Sequence, residues 1–528
     1  MPQENPFQRY DRSMHRIPLA LICVAVAVQP AGAALKNPVK IQSGRVAGVP
    51  GKDASISVFK GIPYAAPPVG DLRWREPKPP SAWKGVRPAG EFGASCVQNV
   101  VQERKPWTYE FMTHNDVSED CLSLNVWTGA RKASERRPVF VYIYGGGFNE
   151  GSSAVPAYDG EGLAVKGLVV VSLNYRVGVL GFLVHPELTR ESEHHASGNY
   201  GLLDQVAALR WIQANIRAFG GDPNRVTIAG QSAGAMSVHA LIASPLAKGL
   251  FHRAIAQSGG STIGGPAGSR TFADVEADGQ KFAEAKGAHS LAELRAMTWQ
   301  KVMEPVPNSS FRFSVIADGY LLPDSVQRIY LAGKQQDVPT LTGSNKHEGG
   351  GLPNPTTTAE QFQKQTRQRY GDLADEFLNL YPATSDEQAR TAQNESSFDR
   401  ARVAMYLWAR MRNKSSKTPV YTYFWDHTLP GPDAERFGAF HTSEVPYVLN
   451  TLGKSDRPFS EADHRIADML SSYWANFATT GDPNGKGLPA WPAVGDKPET
   501  MEVGDVTAPI PLAGSAAKLQ FFEKALMR

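Results

Sequence analysis

"RVTIAGQSAGAMSVHALIAS", Arg225–Ser244, is the stretch that decides how this chain folds. It opens on three β-branched residues, Val226, Thr227 and Ile228, the composition of a buried strand. It closes on Ala235–Ser244, which can run on as a helix. Between the two stands G-x-S-x-G, with Gly230 and Gly234 flanking Ser232. A serine presented between a strand and a helix sits in a strained turn with its hydroxyl exposed. Side chains two residues before and after it would collide with that turn. The motif alone is weak, because about 0.3 copies arise by chance at average composition in a chain this long. A nucleophile also needs a base, an acid to orient the base, and donors for an oxyanion; a plain turn needs none of these.

Working outward, "PVFVYIY" (Pro138–Tyr144), "LVVVSLNY" (Leu168–Tyr175), "RVTIAG" (Arg225–Gly230) and "PVYTYFW" (Pro419–Trp425) are continuous apolar runs. Runs without alternation suit a sheet covered on both faces. Between the second and third lies "GLLDQVAALRWIQANIRAFGGDP". Its Leu202, Leu203, Val206, Leu209, Ile212 and Ile216 recur at helical spacing, and Gly220, Gly221 and Pro223 stop it. Strand, helix, strand implies a parallel crossover and hence the α/β class. Helical patterns dominate from Ala273 to about Tyr330 and from Thr358 to Asn413. With no linker, repeat or low-complexity tract, the mature chain reads as one domain with insertions.

A second glycine cluster, "YIYGGGFNEGSS", follows the run at Pro138–Tyr144. Without side chains, the backbone N–H groups of Gly145–Gly147 can approach a reacting carbonyl closely. Gly146 and Gly147, with the amide of Ala233 after the serine, would make a three-donor oxyanion hole. The run matches neither G-x-x-x-x-G-K-[ST] nor G-x-G-x-x-G opening a helix, so a phosphate cradle does not fit.

The 528 residues carry 55 basic and 52 acidic side chains, a net charge of +3 that gives no reason to expect nucleic acid. At the N-terminus, Arg12, His15 and Arg16 precede the apolar run "IPLALICVAVAV", Ile17–Val28. Ala31 and Ala33 follow at the spacing of a cleavage site after Ala33. Residues 1–33 therefore read as a secretory signal peptide, with Met14 an alternative start to Met1. The run is short for a membrane span, an uncut anchor being the competing reading. No other stretch reads as a span. Cleavage removes Cys23 and leaves Cys96 and Cys121, an even pair that reads as a disulfide in an exported chain. Closing a loop of about 25 residues, it would contribute roughly 3–4 kcal/mol on the chain-entropy model. The protein is expected to be secreted or periplasmic.

The chain resembles the type-B carboxylesterases, the cholinesterase-like branch of the α/β-hydrolases, from about Val39 to beyond Trp491. "FKGIPYAAPPVGDLRW" (Phe59–Trp74), "SEDCLSLNVW" (Ser118–Trp127), "YGGGF" (Tyr144–Phe148), "NYRVGVLGF" (Asn174–Phe182), the Ser232 motif and "AFHTSEVPYVL" (Ala439–Leu449) carry the resemblance, in order. It implies an α/β-hydrolase fold over residues 34–528: a mostly parallel sheet flanked by helices, with large helical insertions around an active-site gorge. It further implies Glu348 of "GSNKHEGG" as the triad acid and His441 as the base, in the serine–acid–histidine order of that fold. The Cys96–Cys121 bridge also carries over, near the gorge rim. The implied activity is hydrolysis of small-molecule carboxylic esters, with no cofactor or metal. A non-catalytic binding protein on the same fold, or an amidase or lactonase with the same triad, are the alternatives. Where cholinesterases place a glutamate before the serine, this chain has neutral Gln231, which disfavours choline esters; Trp107 lies where an aromatic wall would stand. His347, beside Glu348, reads as a loop residue whose side chain points away, with the role of base as its competing reading. His427 reads as lying near the surface at a strand end, His239 as a packed or partly exposed helix residue, Glu444 and Glu119 as structural, and His194 and His195 as exposed loop residues. Oligomeric state is not readable.

Overall fold

The apolar runs become the middle of an 11-stranded sheet in the computed structural model, which describes residues 35–259, 270–349 and 357–528. In chain order its strands are β1 (Val49–Pro50), β2 (Ser57–Pro63), β3 (Ser123–Thr128), β4 (Arg137–Ile143), β5 (Val169–Leu173), β6 (Gly221–Gln231), β7 (Arg253–Gln257), β8 (Thr340–Asn345), β9 (Val420–Asp426), β10 (Glu499–Gly504) and β11 (Ala508–Pro511). Their spatial order is β11-β10-β9-β8-β7-β6-β4-β5-β3-β2-β1. From β10 to β5 every adjacent pair is parallel, and antiparallel strands close both edges. The central strands are buried along nearly their whole length, as both-face coverage demands. The α/β-hydrolase architecture is thus present, and residues Ala34–Arg528 form one compact unit. The expected signal peptide, residues 1–33, lies outside the described residues.

Helix α1 (Tyr200–Asn215) makes the crossover between β5 and β6. It ends through a single tight turn, Ile216–Phe219, into Gly220 at φ +81°. Gly221 and Pro223 do more than stop the helix: they open β6, whose register against β4 shifts between Gly221 and Val226. That irregularity accommodates a proline without an N–H to give. A second departure lies at residues 304–325, expected to be helical but containing neither helix nor strand. Pro305, Pro307, Gly319 and Pro323 deny that stretch continuous helical hydrogen bonding. It still packs inward, with Phe311 and Phe313 edge-on to Phe282. The expected helical stretch from Thr358 to Asn413 holds three helices, Ala359–Tyr370, Ala374–Leu380 and Asp386–Asn413.

The connections make the site. β4 is followed by β5 on one side, whereas β6 is followed by β7 on the other. Loops leaving the carboxyl ends of two adjacent strands in opposite directions open a crevice, where ligands bind in open α/β sheets. The loops after β4, β6, β8 and β9 carry Gly145–Gly147, Ser232, Glu348 and His441 respectively.

Candidate active site

Ser232 sits between β6 and helix α2 (Ala233–Ala243) at φ +59° and ψ −123°, a conformation that non-glycine residues rarely adopt. The turn is held by its N–H donating to Gln257 O at 2.8 Å. A Cβ on Gly230 would stand 2.5 Å from the Gly234 carbonyl carbon, and one on Gly234 would stand 2.1 Å from Ile143 O. The glycines are therefore required by the close approach of α2 to the end of β4. Ala233 opens α2, so its N–H has no intrahelical acceptor and is free to face a ligand.

A cavity of about 470 Å³ opens over this turn, lined by Ser232, His441 and Gly145–Gly147. Trp107, Phe111, Met112 and Val155 give it an apolar wall. Arg104 and Glu150, paired through two hydrogen bonds of 2.7 and 3.0 Å, also line it. Trp107 is tied to the loop bearing His441, its indole N–H donating to His441 O at 3.1 Å and Thr442 Oγ1 at 3.2 Å.

His441 and Glu348 meet: the ring's Nδ1 donates to Glu348 Oε2, while the other carboxylate oxygen accepts the Asn345 N–H at 2.7 Å. Burial opposes charge on the ring, but the hydrogen bond and charge of Glu348, with Glu444 adding its field, hold the imidazole above the ordinary histidine value. With the proton on Nδ1, Nε2 presents a lone pair. Among the described residues that lone pair is met not by Ser232 but by the Gln231 side chain, whose Nε2–H donates to it at 3.1 Å. A resting site often lacks the nucleophile–base bond and tightens only with substrate.

Glu444 is fully buried and accepts from Gln257 Nε2 at 3.0 Å and Asn345 Nδ2 at 2.6 Å. Burial pushes its carboxyl up to about 7, against the Asn345 hydrogen bond and with the Glu348 charge adding to the rise. Asn345 thus holds both carboxylates, a role that no local pattern in the sequence announces. The Gln231 contact was equally unreadable, since it joins residues 210 positions apart. His239 is buried in α2 against Tyr330, His427 bridges Asp463 and Asp505, and His194 and His195 are exposed. Glu119 makes a two-point bridge to Arg73. Cys96 and Cys121 are joined, with Cα atoms 5.0 Å apart. The bridge anchors the strip behind the cavity: Gln98, two residues on, exchanges hydrogen bonds of 2.8 Å with Gly151. Among the described residues no cluster of three or more His, Cys, Asp or Glu could hold a metal ion, and no helix is long and apolar enough to cross a membrane.

Residues 36–521 match the Carboxylesterase family. The chain belongs to that family. This carboxylesterase is 38% identical to the fumonisin B1 esterase of Sphingopyxis macrogoltabida, over 88% of this chain and 85% of the relative. It is 33% identical to the cocaine esterase of Homo sapiens, over 97% of both chains. It is 32% identical to the pyrethroid hydrolase Ces2e of Rattus norvegicus, over 96% of this chain and 92% of the relative. The carboxylesterase chain is a carboxylic ester hydrolase with small-molecule ester substrates.

Proposed function

We propose that this carboxylesterase works through an acyl-enzyme on Ser232, with His441 as base and acid and Glu348 orienting it. The observation that carries the reading is that His441 spans the Glu348 carboxylate and the cavity into which the strained Ser232 turn opens. His441 Nε2 takes the Ser232 proton as Oγ bonds to the ester carbonyl carbon. The N–H groups of Gly146, Gly147 and Ala233 receive the oxyanion. Collapse breaks the bond to the alcohol oxygen, which leaves with the proton from His441. Water, deprotonated by the same nitrogen, then releases the acid and restores Ser232. Glu348 keeps the proton of the resting ring on Nδ1 and balances the imidazolium.

The substrate is a bulky carboxylic ester other than a choline ester. A cavity of about 470 Å³ with an apolar wall suits it, and Gln231 puts no carboxylate beside the serine to attract a cation. The relatives named for fumonisin B1, cocaine and pyrethroids are compatible with such a range. The chain is exported, with residues 1–33 removed after Ala33; the Cys96–Cys121 bridge fits an oxidising compartment.

Fluorophosphonate labelling of the purified mature chain with peptide mapping, beside a graded p-nitrophenyl ester panel, tests the mechanism. Label on Ser232, and a loss of order 10⁶ in turnover for Ser232→Ala with the fold intact, are expected. A folded, unlabelled chain would overturn the reading. Sequencing of the exported protein should begin at Ala34.

A further inference from the structure

The loop bearing His441 is tied to the loop bearing Glu348 by a side chain that the ester mechanism leaves unused. His347, just before Glu348, is buried. Its backbone N–H donates to Ala439 O at 3.0 Å, and the Ala439 N–H donates back to the ring's Nδ1 at 2.9 Å. His441 follows two residues later. Gly438 stands at φ +54°, where a Cβ would lie 2.5 Å from that same Nδ1 and 2.7 Å from Cε1. Glycine and imidazole thus occupy one shared space, and neither tolerates a larger partner. The ring packs edge-on against Phe398, with centroids 5.7 Å apart. Next to this contact, Asn345 Nδ2 donates to Phe440 O at 2.8 Å.

We propose that His347 is a positioning residue, whose Nδ1 accepts the Ala439 N–H and thereby sets residues 438–441 where His441 reaches Glu348; this rests on the triad reading above. Ala439 is fully buried, so its N–H has no water to turn to when that acceptor is lost. The loop must then shift to satisfy it, and His441 shifts with it. A displacement of about 1 Å at a catalytic group is enough to cost of order 10²-fold in rate. Burial, then the Lys346 charge, push the His347 ring down to about 4 against the opposing Asp426, so Nδ1 remains an acceptor through the neutral range.

Kinetics of His347→Leu, His347→Asn and Gly438→Ala in the full mature chain decide it. Leucine has no acceptor; asparagine offers Oδ1 close to where Nδ1 stood. His347→Leu should lower kcat by about 10–100-fold with KM within about twofold, and His347→Asn should recover kcat to within about threefold of wild type. The acid limb of kcat/KM should move to lower pH in the leucine variant alone, because a ring loosened from Glu348, with only Glu444 still favouring its charge, holds its proton less well. If His347→Leu does not fold, Gly438→Ala is read in its place, with the same expected loss. Wild-type kcat in the leucine and alanine variants would overturn the proposal. So would an asparagine variant as slow as the leucine one, which would make the residue mere packing. Ser232→Ala separates the two readings. If it stays active, the triad reading fails and this one with it; if it is inactive while His347→Leu keeps full kcat, only this one fails.

Discussion

Gly234→Ala tests the geometry of the serine turn without touching any reacting group. The added Cβ would stand 2.1 Å from Ile143 O and 2.8 Å from Tyr144 O, whereas ordinary contact begins near 3.4 Å. Both atoms are backbone at the end of β4, so no side chain can swing aside. Helix α2 and β4 must part by more than an ångström. That movement carries Ser232 away from His441 and from Gly145–Gly147 on the other lip, and a shift of this size costs of order 10²-fold in kcat. Overpacking a rigid contact costs about 1–3 kcal/mol, offset by the roughly 0.4–1 kcal/mol that alanine gains from a less flexible unfolded chain. The net expectation is a loss of about 1–2 kcal/mol. Gly453 is the matched control, since a Cβ there meets nothing within 4 Å and its φ lies outside the left-handed region. Gly453→Ala should keep full turnover and unfold at or slightly above the wild-type temperature. The assays are p-nitrophenyl butyrate hydrolysis, rate of phosphonate labelling and thermal unfolding of both variants. A Gly234→Ala enzyme with wild-type kcat and wild-type Tm would refute the claim that close backbone approach dictates this glycine.

Glu348→Gln should lower kcat by about 10²–10⁴-fold, since nucleophile and base remain but the ring loses its anchor. The base works when neutral, so activity is lost as pH falls through its pKa. The wild-type acid limb should lie above the ordinary histidine value of about 6.5 and move to lower pH in the variant; unchanged turnover in a pH–rate profile would sink the assignment. Glu444 is raised in the folded state to about 7, so the native chain holds a proton that the unfolded chain has released. Stability should therefore fall on the order of 3 kcal/mol between roughly pH 4.5 and 7, and denaturant titrations of Glu444→Gln should lose that part of the slope. Reduction of Cys96–Cys121 should destabilise by about 3–4 kcal/mol and raise KM, because the strip holding Gln98 to Gly151 forms one cavity wall. Urea melts and kinetics with and without reductant read both effects.

What could be read in advance was what depends on neighbours in sequence. Part of the steric demand of G-x-S-x-G is local, since a Cβ on Gly230 would meet the Gly234 carbonyl, while the demand on Gly234 comes from Ile143 O across the sheet. The uninterrupted apolar runs of β4, β5, β6 and β9 report both-face burial whatever packs on them. Residues 304–325 misled because scattered apolar positions imitate a helical face while prolines forbid the hydrogen bonds. Glu348 and His441 were legible only through resemblance, since no spacing rule links residues 93 positions apart.

The sequence by itself determined the α/β class, the strained serine turn and the glycine run beside it, because each follows from local sterics and burial periodicity. Tertiary structure alone decided that Gln231 rather than Ser232 meets the free nitrogen of His441, and that Asn345 and His347 lace the loops bearing Glu348 and His441 together. The His347 and Asn345 contacts to residues 439 and 440 join the loops after β8 and β9, whose separation is set by the register of those two strands. A hydrogen bond reports the distance between two atoms in space, and the order of residues along the chain leaves that distance open until the sheet has formed.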